Sequence, residues 1–142
     1  MKIAGIVAEY NPFHTGHAYQ IACTRAQLGE DCAVAAVMSG HWVQGGRPAI
    51  ADKWTRTRLA LLGGADLVLE LPTVWAVSSA ETFARGAVGL LAAAQVVDVL
   101  SFGSECGDAD KLRRAAICLN SPEYEAGLRR FVEGGTPFAA AR

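Results

Sequence analysis

Ile3-Ala4-Gly5-Ile6-Val7-Ala8-Glu9-Tyr10-Asn11-Pro12-Phe13-His14-Thr15-Gly16-His17 is the stretch whose reading decides the fold. Its first half, Ile3 to Ala8, is a short apolar run of the kind that suits a strand buried in a parallel sheet. Asn11-Pro12 breaks the run. From about Ala18 the apolar spacing becomes helical and continues to Leu28, with Gly29 as the stop. A strand therefore ends, turns sharply and feeds a helix N-terminus that carries two imidazoles beside a glycine. Such a place suits a phosphate, because the helix start offers unpaired N–H groups and a partial positive charge. Gly16 lets the backbone come close to a ligand. His14 and His17, three residues apart, can share one face of the first turn and donate hydrogen bonds to phosphoryl oxygens.

Outward from this stretch the chain keeps alternating. Cys32 to Met38 reads as a second strand, and Ser39 to Pro48 as a Gly-rich loop. Asp52 is a good N-cap for a helix over Lys53 to Leu62 that closes on Gly63-Gly64. Asp66 to Leu71 reads as a third strand ended by Pro72. Ser78 and Glu81 have the spacing of a capping box for a helix running to about Ala94. Val96 to Phe102 is the fourth strand, Asp108 caps a helix over Ala109 to Leu119, and Ser121-Pro122 opens one over Pro122 to Glu133. This order predicts an α/β fold: a Rossmann-like three-layer sandwich with a mainly parallel sheet. Ligands then sit beyond the C-terminal strand ends, where Tyr10–His17, Ser39–Pro48 and Gly103–Gly107 converge. No GxGxxG follows the first strand, which argues against a dinucleotide site.

The totals set limits. A chain of 142 residues, 51% hydrophobic and 19% charged, is long enough for one globular core over 1–142 and too apolar for disorder. A formal net charge of −1 gives no overall basic footprint, so any RNA contact must come from a local patch or a region outside these residues. Cys23, Cys32, Cys106 and Cys118 have no metal-ligand spacing and read as reduced thiols, which favours a cytoplasmic location. No metal site is expected from the chain itself. No apolar stretch is long and uncharged enough to cross a membrane.

His14-Thr15-Gly16-His17 after a strand resembles the HxGH signature of the nucleotidyltransferase superfamily, and the longer string from Glu9 to His17 is similar to the tRNA(Met) cytidine acetate ligase family within it. The likeness continues through Met38-Ser39-Gly40-His41, Gln44, Gly46, Pro48-Ala49, Lys53-Trp54 and Arg56-Thr57. It goes on through Gly64-Ala65-Asp66-Leu67-Val68, Glu70-Leu71-Pro72, Phe83-Ala84-Arg85-Gly86 and Phe102-Gly103-Ser104-Glu105. Gly45 departs from a usually basic position and Arg47 from an often acidic one.

The resemblance implies an enzyme that activates acetate with ATP as acetyl-adenylate and acetylates N4 of the wobble cytidine of elongator tRNA(Met). Magnesium is expected with the triphosphate, and neither DNA nor membrane is an implied partner. His14 and His17 are the implied catalytic residues. The implied ATP contacts are Val7, Ala8, Glu9, Tyr10, Asn11, Pro12, Phe13, His14, Thr15, Gly16, His17, Ala18, Tyr19 and Gln20, with Gly103 at the nucleoside. Lys53 and Arg56 are candidate phosphate or tRNA contacts; a solvated helix position fits Lys53 equally, and Arg56 reads as solvated or RNA-facing rather than catalytic. Glu9 fits a solvated strand end or a ligand contact, and Asn11 a turn former or a ligand contact. His41 and Trp42 fit a cleft lining or a loop packed on itself. Trp54 and Trp75 read as core or domain-interface residues. Family members are longer, with further nucleotide contacts and a helical tRNA-binding region. The 142 residues are therefore expected to fold but not to acetylate tRNA alone. Two other readings fit the same motif: an adenylyltransferase acting on a small acceptor, and a nucleotide-binding fragment without catalysis.

Overall fold

The computed structural model describes residues 1–141, which divide into a unit over Met1–Gly103 and a second from Ser104 on. In chain order the first unit contains β1 (Ile3–Ala8), α1 (Thr15–Leu28), β2 (Ala33–Ser39), β3 (Trp42–Val43), β4 (Arg47–Pro48) and α2 (Lys53–Leu62). It continues with β5 (Leu67–Leu71), α3 (Thr73–Ala76), α4 (Ala80–Ala93) and β6 (Val99–Ser101). β1, β2, β5 and β6 form one parallel sheet in the order β5-β2-β1-β6.

The apolar runs divide between the two faces with the two-residue period of a strand. Ile6, Val34, Ala36 and Met38 face one side, where Ile21 of α1 and Ala60 of α2 cover them. Val37 and Leu71 face the other, under Ala76 of α3 and Phe83, Ala87 and Leu91 of α4. Each fully buried Leu, Ile or Phe here contributes about 1.5–3 kcal/mol. The result is the three-layer sandwich the alternation predicts. Gly5 lets α4 lie close to β1: a Cβ there would stand 2.8 Å from Leu91 Cδ1.

Two aspartates set the register where strands begin. Asp66 accepts from Val34 N at 2.7 Å while its own N–H donates to Val34 O at 2.9 Å. Asp98 repeats the arrangement on β1, accepting from Ile3 N at 2.8 Å and donating to Ile3 O at 2.9 Å. The chain runs from β1 through β2 to β5 on one side and returns to β6 on the other. The switch in strand order therefore falls between β1 and β6, and the crevice beyond their C-terminal ends is where such sheets bind ligands.

Several elements differ from the sequence expectation. α1 starts at Thr15 rather than Ala18, because the histidines themselves cap it. On α1, Ile21 and Thr24 are buried and Ala22 is exposed. The Gly-rich loop contains the β3–β4 hairpin, turned by Gly45 and Gly46 at φ 76° and 71°, a backbone region glycine adopts without steric cost. α4 is capped by Ser79, not Ser78, because α3 forms just before it and Ser78 Oγ donates to Trp75 O at 2.6 Å. β6 is shorter than Val96–Phe102. Trp54 is 71% exposed and is not a core residue of this unit.

The second unit is helical. α5 (Ala109–Leu119) is capped by Asp108, whose carboxylate accepts from Lys111 N at 3.0 Å. α6 (Pro122–Glu133) is capped by Ser121, which accepts from Tyr124 N at 3.1 Å, and α7 spans Phe138–Ala141. Among its described residues none is buried.

Candidate functional site

The turn after β1 is where the sequence reading places the chemistry, and the structure gives it a definite shape. Tyr10 has φ 45°, unusual for a side chain with a Cβ, and Asn11–Pro12 is a cis peptide bond. Tyr10 is 1% exposed, packed in the core with Ile6, Ile21 and Met38. Its ring meets Phe13 edge-on at 5.0 Å and His17 at 4.8 Å. Tyr10 Oη has no hydrogen-bond partner among the described residues, and burial pushes its phenol up to about 12.

The two histidines form a reciprocal cap on α1. His14 Nδ1 accepts from Gly16 N at 3.1 Å, and His17 Nδ1 accepts from His14 N at 3.2 Å. Because each Nδ1 is an acceptor, each neutral ring carries its proton on Nε2, which remains a free-standing donor. The rings stack with centroids 3.7 Å apart and planes at 27°. Burial first, then the proximity of His14, holds His17 below its ordinary value of 6.5. Two Nε2–H donors thus stand side by side at a helix N-terminus, an arrangement suited to an anion.

The sign of the pH effect follows. With its folded pKa depressed, neutral His17 contributes stability that is fully present above about pH 6.5. Below that the unfolded chain takes up a proton first and the contribution is lost as pH falls through the folded value. We expect the thermal midpoint to fall on acidification below about pH 6.5, less so in His17→Gln. Midpoints measured across pH 5 to 8 check this; an equal fall in both proteins would remove His17 from the effect.

Two clefts open at this edge. One, of about 350 Å³, is lined by residues 7–12 with His14, His17 and Gln20. The other, of about 310 Å³, has Gly16, Tyr19 and Gln20 of α1 together with Gly103. Gln20 lines both, so the expected phosphate and nucleoside positions adjoin. Phe13, Thr15 and Ala18 line neither cleft; Phe13 packs on Tyr10 and His17 instead.

Sequence reasoning missed Cys23, Thr24, Gln27, Ser101 and Phe102, which complete the second cleft. The spacing of 16, 20, 23 and 27 along one helical face was the available signal. Thr24 Oγ1 and Ser101 Oγ lie 2.7 Å apart and Gln20 Nε2 donates to Ser101 O at 3.2 Å, tying α1 to the end of β6.

Glu9 and Asn11 line the first cleft and also clamp the loop that follows β2. Glu9 Oε1 accepts from Gln44 N at 2.7 Å, and Asn11 Oδ1 accepts from Ile50 N at 2.8 Å. Lys53 is paired with Glu70 at 2.6 Å and lies over the Trp54 ring at 5.1 Å. Arg56 requires a correction. It is 0% exposed and its donors are taken up by backbone carbonyls, so it is not a surface contact for phosphate or tRNA. His41 and Trp42 are exposed on the hairpin.

A sequence model described as HIGH Nucleotidyl Transferase matches residues 1–142. The chain belongs to the HIGH nucleotidyl transferase family. The tRNA(Met) cytidine acetate ligase of Thermoanaerobacter sp. (strain X514) is 50% identical across 100% of this chain and 36% of its own length. The protein of the same name from Clostridium perfringens is 49% identical with the same coverage. A crystal structure of Thermotoga maritima TmcAL bound with alpha-thio ATP superposes with a TM-score of 0.89 at 44% identity, over 100% of this chain and 35% of that one. The apo form I of that protein gives 0.90 at 43% identity. The chain thus spans about a third of the length of the curated relatives it matches.

Proposed function

We propose that these residues are the ATP-binding part of an ATP-dependent tRNA(Met) cytidine acetate ligase acting in the cytoplasm. The observation that carries the reading is the capping pair, His14 and His17, whose Nδ1 atoms are taken up by the cap while their Nε2–H groups are left as donors at the start of α1, both residues lining a cleft of about 350 Å³. In this reading the triphosphate lies against the N-terminus of α1 and Gly16, and the nucleoside lies in the adjoining cleft by Gly103. The similar protein bound to an ATP analogue supports the choice of nucleotide.

The chemistry asked of the chain is modest. An acetate oxygen attacks the α-phosphorus, the bond to the bridging oxygen breaks, and pyrophosphate leaves with its electron pair. The imidazole N–H donors oppose the negative charge that builds on the non-bridging oxygens, without being required to transfer a proton. Positioning supplies the rest, and no protein nucleophile is needed. In the second step the cytidine N4 amine attacks the acetyl carbonyl, AMP leaves and the amine loses a proton. Among the described residues no cluster of three His, Cys, Asp or Glu is arranged to hold a metal ion. Magnesium bound with the triphosphate would offset its negative charge, and no step is routed through it. The tRNA contacts are assigned to the part of the protein outside these residues.

The test uses the complete protein. Acetate-dependent exchange of labelled pyrophosphate into ATP, and transfer of labelled acetate to tRNA(Met), are both expected. Exchange supported by a small phosphorylated acceptor in place of acetate would instead identify an ordinary adenylyltransferase.

A further inference from the structure

Arg56 sits where no solvent reaches, at 0% exposure, yet among the described residues it forms no ion pair. Its guanidinium instead joins four backbone carbonyls. Nε donates to Ala51 O at 3.2 Å, Nη1 to Glu9 O at 2.5 Å, and Nη2 to Ser39 O at 2.8 Å and also to Gly40 O. Those carbonyls belong to three different pieces of chain: the turn just after β1, the end of β2 where it enters the hairpin, and the segment before α2. The charges of Glu9, Asp52 and Glu70 oppose the cost of burying the cation. Their carboxylates are occupied elsewhere, on Gln44 N, Thr55 and Lys53.

Burying an unpaired guanidinium is costly, and ordinary packing does not require it. What this one accomplishes is geometric. Its planar fork holds several acceptors at fixed angles. Glu9 O is one residue before Tyr10, whose ring rests against His17. The same Glu9 reaches across to Gln44 N through its side chain, so the Arg56 contacts and the Glu9 carboxylate tie turn and hairpin into one piece.

We infer that Arg56 is a positioning residue for the nucleotide-binding turn, acting through Glu9 and Tyr10 on the placement of His14 and His17. The inference deepens the function proposed above and rests on it for its catalytic consequence. It needs no contact between Arg56 and the nucleotide.

The test compares Arg56→Lys with the parent in the complete protein, well below the thermal midpoint of each. Lysine keeps the charge but presents its donors from one atom and cannot span the same carbonyls. Two readouts are taken. The first is hydrogen exchange at the amides of His14, Gly16 and Gln44, expected to speed up at least tenfold relative to Ile6 and Val37. The second is acetate-dependent pyrophosphate exchange, where the rate constant should drop about 100-fold, as misplacement of catalytic groups does, with the KM for ATP within about threefold. In a His17→Ala background Arg56→Lys should cost little more, because both act on one element.

Unchanged amide exchange, or a loss that simply adds to that of His17→Ala, overturns the inference. Failure of both Arg56→Lys and Arg56→Met to fold also overturns it, by assigning Arg56 to stability alone. If the parent protein shows no acetate-dependent exchange, the proposed function fails, while the amide readout still decides the positioning role.

Discussion

Replacing His17 with alanine in the complete protein should lower acetate-dependent pyrophosphate exchange by about 10²–10³-fold, the cost typical of removing one preorganised donor at a developing oxyanion. The loss should fall on the rate constant more than on ATP affinity, because the donor matters most when charge builds at phosphorus. His17 also accepts from His14 N at 3.2 Å, so the substitution removes half of the cap on α1. A lost cap costs about 1 kcal/mol, which leaves a folded protein and separates the catalytic from the structural effect. Since the two rings stack 3.7 Å apart, His14→Ala should disturb His17 as well. The double substitution should then cost less than the two single losses combined. Exchange kinetics on the three variants, with circular dichroism as a folding control, checks this. An unchanged rate in His17→Ala would remove His17 from the mechanism.

Asp66→Ala should destabilise the sheet more than any other single surface-accessible substitution discussed here. The Asp66 carboxylate accepts from Val34 N at 2.7 Å and from Arg25 at 2.8 Å, while Val34 is 0% exposed. Alanine leaves a buried amide without its partner, a loss of about 1.5–3 kcal/mol for a bond to a charged group. The Arg25 pair, half exposed on the Asp66 side, adds a smaller amount. The expected total, about 3 kcal/mol, corresponds to a fall of roughly 10 °C in thermal midpoint. Asp66→Asn should recover part of the loss, because its amide oxygen still accepts from Val34 N. Thermal melts of both variants measure it, and equal midpoints for alanine and parent would show that water replaces the carboxylate at no cost.

Much of the fold was legible because its signals are local. An unbroken apolar run marks β1 and β2, Asp52 and Asp108 mark the starts of α2 and α5, and Ser121-Pro122 marks α6. The boundaries that moved did so where two local preferences competed. Ser78 and Ser79 are both able to cap, and the choice between them depends on α3 ending at Ala76, which sequence spacing does not reveal. The start of α1 moved because histidine is a rare cap, and only the mutual hydrogen bonds of His14 and His17 make it one.

The sequence by itself determined the alternating α/β order and the strand–turn–helix with two histidines three residues apart, because periodicity and turn chemistry act over a few residues. Tertiary structure alone decided what Arg56, Glu9 and Asn11 do. Arg56 reads as a surface cation by its type and helix position, since charged residues are seldom buried. Its burial follows from carbonyls at 9, 39, 40 and 51 meeting around it, and only the folded sheet brings those strand ends together. By their place in the turn, Glu9 fits a solvated strand end or a ligand contact, and Asn11 a turn former or a ligand contact. Their oxygens hold Gln44 and Ile50, 35 and 39 residues away in sequence, a pairing set by parallel packing of β1 beside β2 and by nothing in the local chain.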